Sequence, residues 1–252
     1  KILALLGVPV RVWPRAPYLK FKMITNFKNI IQKTLLKFGY RISKVDQSEK
    51  KFSIYKYKNY TEYKDTQVYY NKLKISHVWA DELNLKLISE YIFNHSNQKK
   101  LIGICHGSRN GYEQKKFKEL IKDSIVFGTD ISETAKNYED SIIWDFHDAK
   151  KEWENNFDFI YSNSLDQSYD PKKALETWIN QLNTNGMLFI ELSDQHNVQS
   201  SGKMDPFGVD PEYFPYLLID WFKHKISISV LKSIKENKSK APVWIYVVKK
   251  ND

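Results

Sequence analysis

Residues 101–113 read LIGICHGSRNGYE, and this stretch decides the fold. An apolar run, Leu101–Cys105, passes through a turn rich in small residues into a segment with helical spacing, Tyr112–Ile121. Small residues let the backbone approach a ligand closely, and Gly111 stands directly before the helix start. The turn is not a phosphate-binding Walker loop, because no Gly-Lys-Ser/Thr follows it. The stretch therefore predicts a strand, a ligand-facing turn and a helix.

The alternation of strands and helices continues to the end of the chain. Further helices are predicted at 81–93 and 171–182, and further strands at 125–128, 141–144, 157–162, 186–191, 225–231 and 243–248. Short apolar strands that alternate with helices are typical of a parallel sheet covered on both faces. The last two runs predict a hairpin. We therefore expect an α/β fold with a mostly parallel seven-stranded sheet, helices on both faces and a C-terminal antiparallel hairpin.

A basic N-terminal extension, residues 1–79, is predicted to precede this domain, which spans residues 80–252. Residues 23–38 carry apolar side chains at helical spacing, and residues 52–75 interleave Tyr and Phe with Lys. Two interpretations of this helical and aromatic segment remain open. Residues 20–75 form a surface for a membrane or an acidic partner, or they pack as a helix and an irregular cap on the chain's own domain.

The net charge of +9 is unevenly distributed along the chain. Residues 1–100 hold 20 basic and 7 acidic residues, whereas residues 101–252 hold 19 and 23. Only four basic residues are Arg, and because sequence-specific nucleic-acid readers depend on bidentate Arg, the charge does not favour nucleic-acid binding. No apolar run reaches the roughly 18 residues of a membrane-spanning helix. The single Cys and the lack of an export signal favour a cytoplasmic location, with peripheral membrane binding as an alternative.

Polar side chains follow three consecutive predicted strands. Asp130 follows the second strand, Asp145 and Phe146 follow the third, and Asn163 follows the fourth. Ligands of open α/β sheets bind beyond the carboxyl ends of the strands. An acidic side chain at the position of Asp130 can accept the hydroxyls of a ribose, and a carboxylate beside an aromatic ring suits adenine. The spacing therefore predicts a nucleoside-type ligand at this edge of the sheet.

Over about residues 80–250 the chain resembles the class I S-adenosylmethionine-dependent methyltransferases. The matching segments are LIGICHGSRNGYE (101–113), VFGTDIS (126–132), IIWDFHD (142–148), FDFIYSNSLDQSYDP (157–171) and NTNGMLFIEL (183–192). The resemblance implies a Rossmann-like fold, methyl transfer and S-adenosylmethionine as cofactor. It implies contacts to the methionine portion (Cys105, His106, Gly107), the ribose (Asp130), the adenine (Ile131, Asp145, Phe146) and the sulfonium (Asn163, Ser164).

The glycine loop departs from the family pattern in three places. Gly103, which we include among the cofactor-binding candidates, stands where the family usually has an acidic residue. Cys105 replaces the first glycine, and Arg109 and Asn110 lengthen the loop. The Arg109 guanidinium either pairs with the carboxylate of the methionine portion or forms a salt bridge with Glu113. These departures keep open a non-catalytic module that retains the fold and binds a partner.

Candidates for activation of a methyl acceptor follow the fourth and fifth strands. An oxygen nucleophile needs its proton removed by a general base or a metal, and the candidate catalytic residues are Asp166 and His196. Asp166 and Asp194 are an alternative set of oxygen ligands for Mg²⁺. The irregular segment 195–215 has the length of a functional lid. Its large side chains, which either face the acceptor or anchor the segment to the core, are Met204, Phe207, Tyr213 and Phe214.

Three functions therefore compete. The leading hypothesis is S-adenosylmethionine-dependent O-methylation of a small molecule or of a sugar or glycan. The second is methylation of RNA or a nucleotide, with the basic N-terminal segment holding the substrate. It is weakened because residues 163–166 read Asn-Ser-Leu-Asp, where base methylation would favour Asn/Asp-Pro-Pro-Tyr/Phe. The third is the non-catalytic binding module.

Overall fold

A computed structural model of the chain describes residues 51–96, 98, 100–233 and 242–251. The helix predicted at 23–38 and residues 235–241, which connect the two strands of the predicted hairpin, lie outside the described residues. The helices are α1 (Tyr60–Leu73), α2 (Glu82–His95), α3 (Tyr112–Leu120), α4 (Pro171–Gln181) and α5 (Phe214–Phe222). The strands are β1 (Phe52–Ile54), β2 (Ile102–His106), β3 (Ile125–Asp130), β4 (Ser141–Ile143), β5 (Phe157–Ser162), β6 (Leu182–Ser193), β7 (Phe207–Val209), β8 (Ile226–Lys232) and β9 (Val243–Lys250).

Seven of these strands form one sheet in the order β4-β3-β2-β5-β6-β9-β8. The strands from β2 to β6 pair in parallel, whereas β9 runs antiparallel to both β6 and β8. The predicted mixed α/β sheet and its C-terminal antiparallel hairpin are therefore confirmed. The order reverses between β2 and β5, which places the ligand-binding edge beyond the carboxyl ends of these two strands. A separate two-stranded sheet joins β1 to β7.

Two hydrophobic cores lie on opposite faces of the sheet. Successive residues of a strand point to opposite faces, so Phe159 joins the core beneath α2 and α3, and Ile160 joins the core beneath α4 and α5. Leu188 and Phe189 of β6 divide between the two cores in the same way. Every residue of β5 is buried, which explains why this strand reads as an apolar run without alternation.

Strand β6 is longer than its apolar run indicates. It begins at Leu182, which pairs with Phe157, and the register with β5 then shifts before Met187. Asn185 adopts a left-handed conformation, with φ of +72°, in this irregular part. The polar residues before Met187 therefore belong to the strand although their side chains show no apolar pattern.

The aromatic segment 52–75 is more regular than predicted, because it contains β1 and the fourteen-residue helix α1. Asn59 caps α1 by accepting a hydrogen bond from the Glu62 backbone N–H, and the Glu62 carboxylate accepts one from the Lys58 backbone N–H. The buried face of α1 includes polar side chains such as Gln67 and Asn71, so hydrophobic periodicity does not reveal the helix. The domain boundary at residue 79 stays a prediction.

The segment 195–215 contains short 3-10 turns and β7, and α5 begins at its end. Phe207 and Phe214 are buried in the core beneath α4 and α5. These two side chains therefore anchor the segment, whereas Met204 faces a cavity described below. Within the described residues, none of the helices combines the length and the apolar character that crossing a bilayer requires.

Candidate functional site

The turn after β2 lies against the turn after β5. Gly107 has a φ of +75°, and its backbone N–H donates to the Thr129 carbonyl at 2.9 Å. A Cβ at Gly107 would come within 2.6 Å of the Ser164 Cβ, so both the conformation and the close approach require glycine. The predicted loop residues Gly107 and Ser164 are thus brought together.

A cavity of about 270 Å³ opens beyond the carboxyl ends of β2, β5 and β6, and we call it the large cavity. Its walls include both predicted cofactor contacts and the predicted catalytic residues. Those residues are Gly107, Arg109, Asn163, Ser164, Asp166 and His196. The side chains of Trp79 and Met204 also line it, so polar and apolar groups both form its wall.

A second cavity of about 20 Å³, the small cavity, lies beside the large one. Gly107 and Gln167 line both, so the two cavities adjoin, and we call them together the groove. The small cavity has room for about one water molecule, because α1 covers it. The covering side chains from α1 are Tyr63, Gln67 and Asn71, and the predicted site residues beneath them are Asp130, Ile131, Asp145 and Phe146.

Asp130 ends β3 as a buried carboxylate with two backbone donors. The Ser132 N–H donates to one oxygen at 2.8 Å, and the Arg109 N–H donates to the other at 3.1 Å. Burial raises the pKa of Asp130 above its ordinary value, although these two hydrogen bonds act in the opposite direction. The carboxylate therefore holds the Arg109 turn, which has a φ of +44°, against the end of β3.

Asp145 is held by a buried histidine and by a tyrosine from α1. His147 lies 2.6 Å from one Asp145 oxygen through Nδ1 and 2.6 Å from the Ser168 Oγ through Nε2. The Tyr60 hydroxyl donates to the other Asp145 oxygen at 2.8 Å. Burial acts to raise the pKa of Asp145, but the hydrogen bonds from His147 outweigh it and leave the pKa below its ordinary value. Because His147 is fully buried beneath aromatic rings, it positions Asp145 and has no access to the groove.

Asp166, His196 and Asp205 converge in the large cavity. His196 Nε2 lies 3.4 Å from an Asp166 carboxylate oxygen, and candidate ligand atoms of all three residues lie within 4.8 Å of one another. Burial, and then repulsion from Asp166, raises the pKa of Asp205 to about 6. The cluster can move a proton through the imidazole, and its donor types also suit a divalent cation. Asp194, the other predicted magnesium ligand, is not part of the cluster.

Two further buried carboxyl groups, those of Glu113 and Glu191, also line the large cavity. Burial raises the pKa of Glu113 to about 7, against the attraction of the Arg109 guanidinium. Burial also raises the pKa of Glu191 to about 8, with repulsion from Glu113 in the same direction. The pair therefore holds protons near neutral pH, which a carboxyl group in water does not.

Three predicted cofactor contacts lie inside the fold and line neither cavity. Gly103 is within β2, where an added Cβ would meet the Phe159 ring at 2.2 Å. Cys105 is buried in the core beneath α2 and α3. His106 is also buried, with its ring nitrogens 2.9 Å from the Thr129 Oγ1 and 2.8 Å from the Gln181 Oε1, and burial lowers its pKa to about 4. These residues support the glycine loop from beneath.

Sequence reasoning did not single out Glu113, Glu191 and Asp205 as site residues. Glu113 lies in the first turn of α3, where surface carboxylates commonly stabilise a helix through its dipole. Its position in the sequence therefore does not indicate a site residue. Glu191 interrupts an apolar strand, which is a signal, because a charge in a buried strand needs a partner or a ligand. Asp205 lies in an irregular segment where its sequence context carries no signal.

The comparisons with known proteins concern structure alone, since no protein-family model and no curated protein matches the sequence. The 1,6-didemethyltoxoflavin-N1-methyltransferase of Burkholderia thailandensis, solved with bound 1,6-didemethyltoxoflavin and S-adenosylhomocysteine, is 13% identical, with a TM-score of 0.57. The match covers 83% of this chain and 99% of that one. The plantazolicin methyltransferase BpumL in complex with SAH is 15% identical, with a TM-score of 0.52, and the match covers 76% and 96% of the two chains.

The citrinin polyketide synthase CMeT domain is 9% identical, with a TM-score of 0.50 over 67% of this chain. The chain spans about half of the length of that domain, 52%, and of another matching carbon methyltransferase, 54%. Likenesses at this level of identity show the fold, and the fold of this chain is that of the class I S-adenosylmethionine-dependent methyltransferases.

Proposed function

We propose that this chain is an S-adenosylmethionine-dependent methyltransferase that methylates an oxygen atom of a small-molecule acceptor, with sugars among the candidate acceptors. The observation that carries the proposal is the groove formed by the two adjoining cavities at the carboxyl ends of β2, β3 and β5. One end of the groove carries the Asp130 and Asp145 carboxylates, and the other carries the pair of Asp166 and His196. A nucleoside-type cofactor and an acceptor would lie end to end in such a groove once its small cavity has widened.

The residues of the small cavity suit an adenosine group. Asp130 would bind the ribose hydroxyls, and Ile131 and Phe146 would contact the adenine with Asp145 facing its amine. The cavity of about 20 Å³ is too small for this group, so α1 has to shift outward when the cofactor binds. The Tyr60 hydroxyl, which bonds Asp145, has to release that carboxylate at the same time.

When bound, the cofactor supplies a methyl group that is made electrophilic by the positively charged sulfur. The protein holds the acceptor in line with that methyl group and excludes water from it. Asn163 and Ser164 line the large cavity beside Gly107, next to the point where the two cavities meet, and they would lie beside the reacting atoms. Trp79 and Met204 line the same cavity and would place apolar surface beside the acceptor.

His196 is the base that would take the proton of an acceptor hydroxyl. Its Nε2 lies 3.4 Å from the buried Asp166 carboxylate, which stabilises the imidazolium once the proton has moved. Asp205 lies close to both groups and adds negative charge to the same end of the groove. A neutral acceptor nitrogen needs no base before it attacks the methyl group, so it would react without Asp166 and His196. Removal of His196 therefore distinguishes an oxygen acceptor from a nitrogen acceptor.

Nucleic-acid methylation is less well supported, because carboxyl groups dominate the groove. Asp166 and Asp205 would repel the phosphate groups of a nucleic acid at the acceptor end of the groove. The positive charges of Lys74 and Arg109 lie near Asp205 and act on that carboxylate. Of the basic extension, residues 1–50 lie outside the described residues.

Calorimetric titration with S-adenosylhomocysteine tests the cofactor part of the proposal. We expect wild type to bind and Asp130→Asn to bind at least tenfold more weakly, because the amide offers one acceptor oxygen where the carboxylate offers two. Asp220→Asn, an exposed position on α5, is the matched control and should bind as wild type does. Absence of binding to wild type refutes the proposal.

A panel of phenols, sugars and amines, with formation of S-adenosylhomocysteine as the readout, tests the acceptor part. We expect turnover of a hydroxyl acceptor to fall at least a hundredfold in His196→Gln and to be unchanged in His224→Gln, which is exposed. If only amines are methylated, and His196→Gln methylates them at the wild-type rate, the acceptor atom is nitrogen. That result would refute the oxygen part of the proposal.

A further inference from the structure

Trp79 presents an aromatic ring at the large cavity. The residue lines this cavity and is 44% exposed, and the apolar residues that line the cavity with it are Leu192, Met204 and Val243. Ligand cavities combine apolar and aromatic groups, which hold the ligand, with a few polar groups that orient it. An open tryptophan ring in such a wall is therefore a contact surface for an acceptor.

The Trp79 ring is held in place by its neighbours. The His77 ring lies nearly parallel to it, with 16° between the planes and 6.3 Å between the centroids. The Lys74 Nζ lies 6.0 Å from the centroid of the Trp79 ring and 2.9 Å from the Met204 Sδ. Because these contacts already order the ring, a ligand that packs on it loses little affinity to the ordering of the side chain.

The lengthened glycine loop supports the turn that carries Trp79. The Asn110 Nδ2 donates to the Ile75 carbonyl at 2.9 Å and to the His77 carbonyl at 3.3 Å. The Arg109 Nη1 donates to the same His77 carbonyl at 3.4 Å. The two residues that lengthen the loop thus attach it to the wall of the large cavity, and this attachment fixes Trp79 relative to the turn after β2.

The base in the same cavity favours an acidic hydroxyl. A phenolic hydroxyl such as that of tyrosine has a pKa of about 10, whereas that of water, which simple alcohols resemble, is about 16. An imidazole base acts near neutral pH, so it removes the proton of a phenol at a far smaller cost in free energy than that of an alkyl hydroxyl. His196 therefore suits a phenol better than it suits an alcohol.

The volume of the large cavity suits a single ring with substituents. An apolar cavity of about 150 Å³ is large enough to bind benzene. The large cavity has about 270 Å³, which accommodates one such ring and leaves space beside it. The aromatic wall, the base and the volume thus point to the same class of acceptor.

We propose that the acceptor is a phenol whose ring packs on Trp79 and whose hydroxyl faces His196. The inference rests on the proposed function and narrows it, because it selects phenols from among the hydroxyl acceptors. A bond forms between the phenol oxygen and the methyl carbon, and the bond from that carbon to sulfur breaks with its electron pair left on sulfur. The phenol proton moves to His196. The products are an aryl methyl ether and S-adenosylhomocysteine.

Matched pairs of hydroxyl compounds test the acceptor class with the wild-type protein. Phenol and cyclohexanol share one ring skeleton, and 2-naphthol and decahydro-2-naphthol share another, so the members of each pair differ in aromaticity and acidity. Methyl glucoside serves as the sugar. With formation of S-adenosylhomocysteine as the readout, we expect kcat/KM of each phenol to exceed that of its saturated partner and of methyl glucoside at least a hundredfold. This result does not depend on whether a variant folds.

Trp79→Leu tests the contact between the ring and the acceptor. We expect KM for 2-naphthol to rise at least fivefold and kcat to change less than threefold, because stacking stabilises the bound acceptor and the transition state alike. Trp79→Phe should keep KM within twofold of wild type. Phe93→Leu, which changes an exposed aromatic residue on α2, is the matched control and should leave both constants unchanged. An unchanged KM in Trp79→Leu refutes the contact.

The acidity of the phenol reports on the contact between its hydroxyl and His196. 4-Nitrophenol is largely ionised in water at pH 8, whereas phenol is not. We expect His196→Gln to lose at least a hundredfold in turnover with phenol and less than tenfold with 4-nitrophenol, because the second acceptor arrives without its proton. An equal loss with both acceptors refutes the placement of the hydroxyl at His196.

The outcomes separate this inference from the proposed function. Failure of wild type to bind S-adenosylhomocysteine refutes both. If methyl glucoside or a saturated alcohol is methylated as fast as the phenols, the phenol inference is refuted and O-methylation stands. Methylation of no phenol also refutes the inference, whichever other acceptor is found.

Discussion

The buried carboxyl pair makes a quantitative prediction about stability without ligand. Raising the pH from 6 to 8 should destabilise the wild-type fold. The pKa of Glu113 is about 7 and that of Glu191 about 8, whereas the ordinary value is 4.5. A carboxyl group whose pKa is raised by folding contributes stability that is present at low pH and is lost as the pH rises through the folded pKa.

The size of the loss follows from the number of protons that the folded pair holds. In the unfolded chain both groups are ionised above pH 6. If the coupled pair retains one proton in the folded state, each pH unit costs about 1.4 kcal/mol, and two units cost about 3 kcal/mol. His106 acts in the opposite direction, because burial lowers its pKa to about 4 and it therefore destabilises the fold as the pH falls below 6.5.

The double variant Glu113→Gln/Glu191→Gln isolates the pair, because it retains His106. Urea unfolding followed by tryptophan fluorescence at pH 6, 7 and 8 gives the free energy of unfolding for both proteins. We expect the wild type to lose about 3 kcal/mol relative to the variant across this range. Glu90→Gln/Glu176→Gln, which changes exposed glutamates on α2 and α4, should follow the wild type. If the free energies of unfolding of the wild type and of Glu113→Gln/Glu191→Gln change in parallel with pH, within about 0.5 kcal/mol, the folded pair does not retain a proton and the prediction is refuted.

Three further predictions concern the residues around the groove. Gly103→Ala should destabilise the fold by about 2 kcal/mol in urea unfolding, since its Cβ would meet the Phe159 ring at 2.2 Å, and adding Phe159→Leu should recover part of the loss. Tyr60→Phe should tighten binding of S-adenosylhomocysteine in calorimetry by up to about tenfold, because the Asp145 carboxylate no longer has to release a hydroxyl; weaker binding would contradict the covering role of α1. His106→Leu should lower the free energy of unfolding by about 2 kcal/mol at pH 7, because it leaves the polar partners of a buried ring unpaired, and a loss of cofactor affinity at unchanged stability would instead make His106 a ligand contact.

Much of the sheet could be predicted from the sequence, because parallel strands covered on both faces need apolar side chains in both directions. The strand predicted at 157–162 matches β5 at both ends for this reason. The part of β6 before Gly186 was not predicted, since a register shift accommodates polar residues there that carry no periodic signal. Helix α1 was missed in the same way, because Gln67 and Asn71 lie on its buried face over the polar edge of the sheet.

The sequence by itself determined the chain order of the seven sheet strands and of α2, α3 and α4, and the positions of Asp130 and Asp145 at two strand ends, since both depend on residues close together in the chain. The tertiary structure alone decided that α1 covers these carboxylates and that Glu113 meets Glu191. Residues 78 positions apart in the chain become neighbours only when α3 packs on the sheet, and burial then changes their protonation. No local pattern records such a contact, because the free energy that creates it comes from the packing of whole elements.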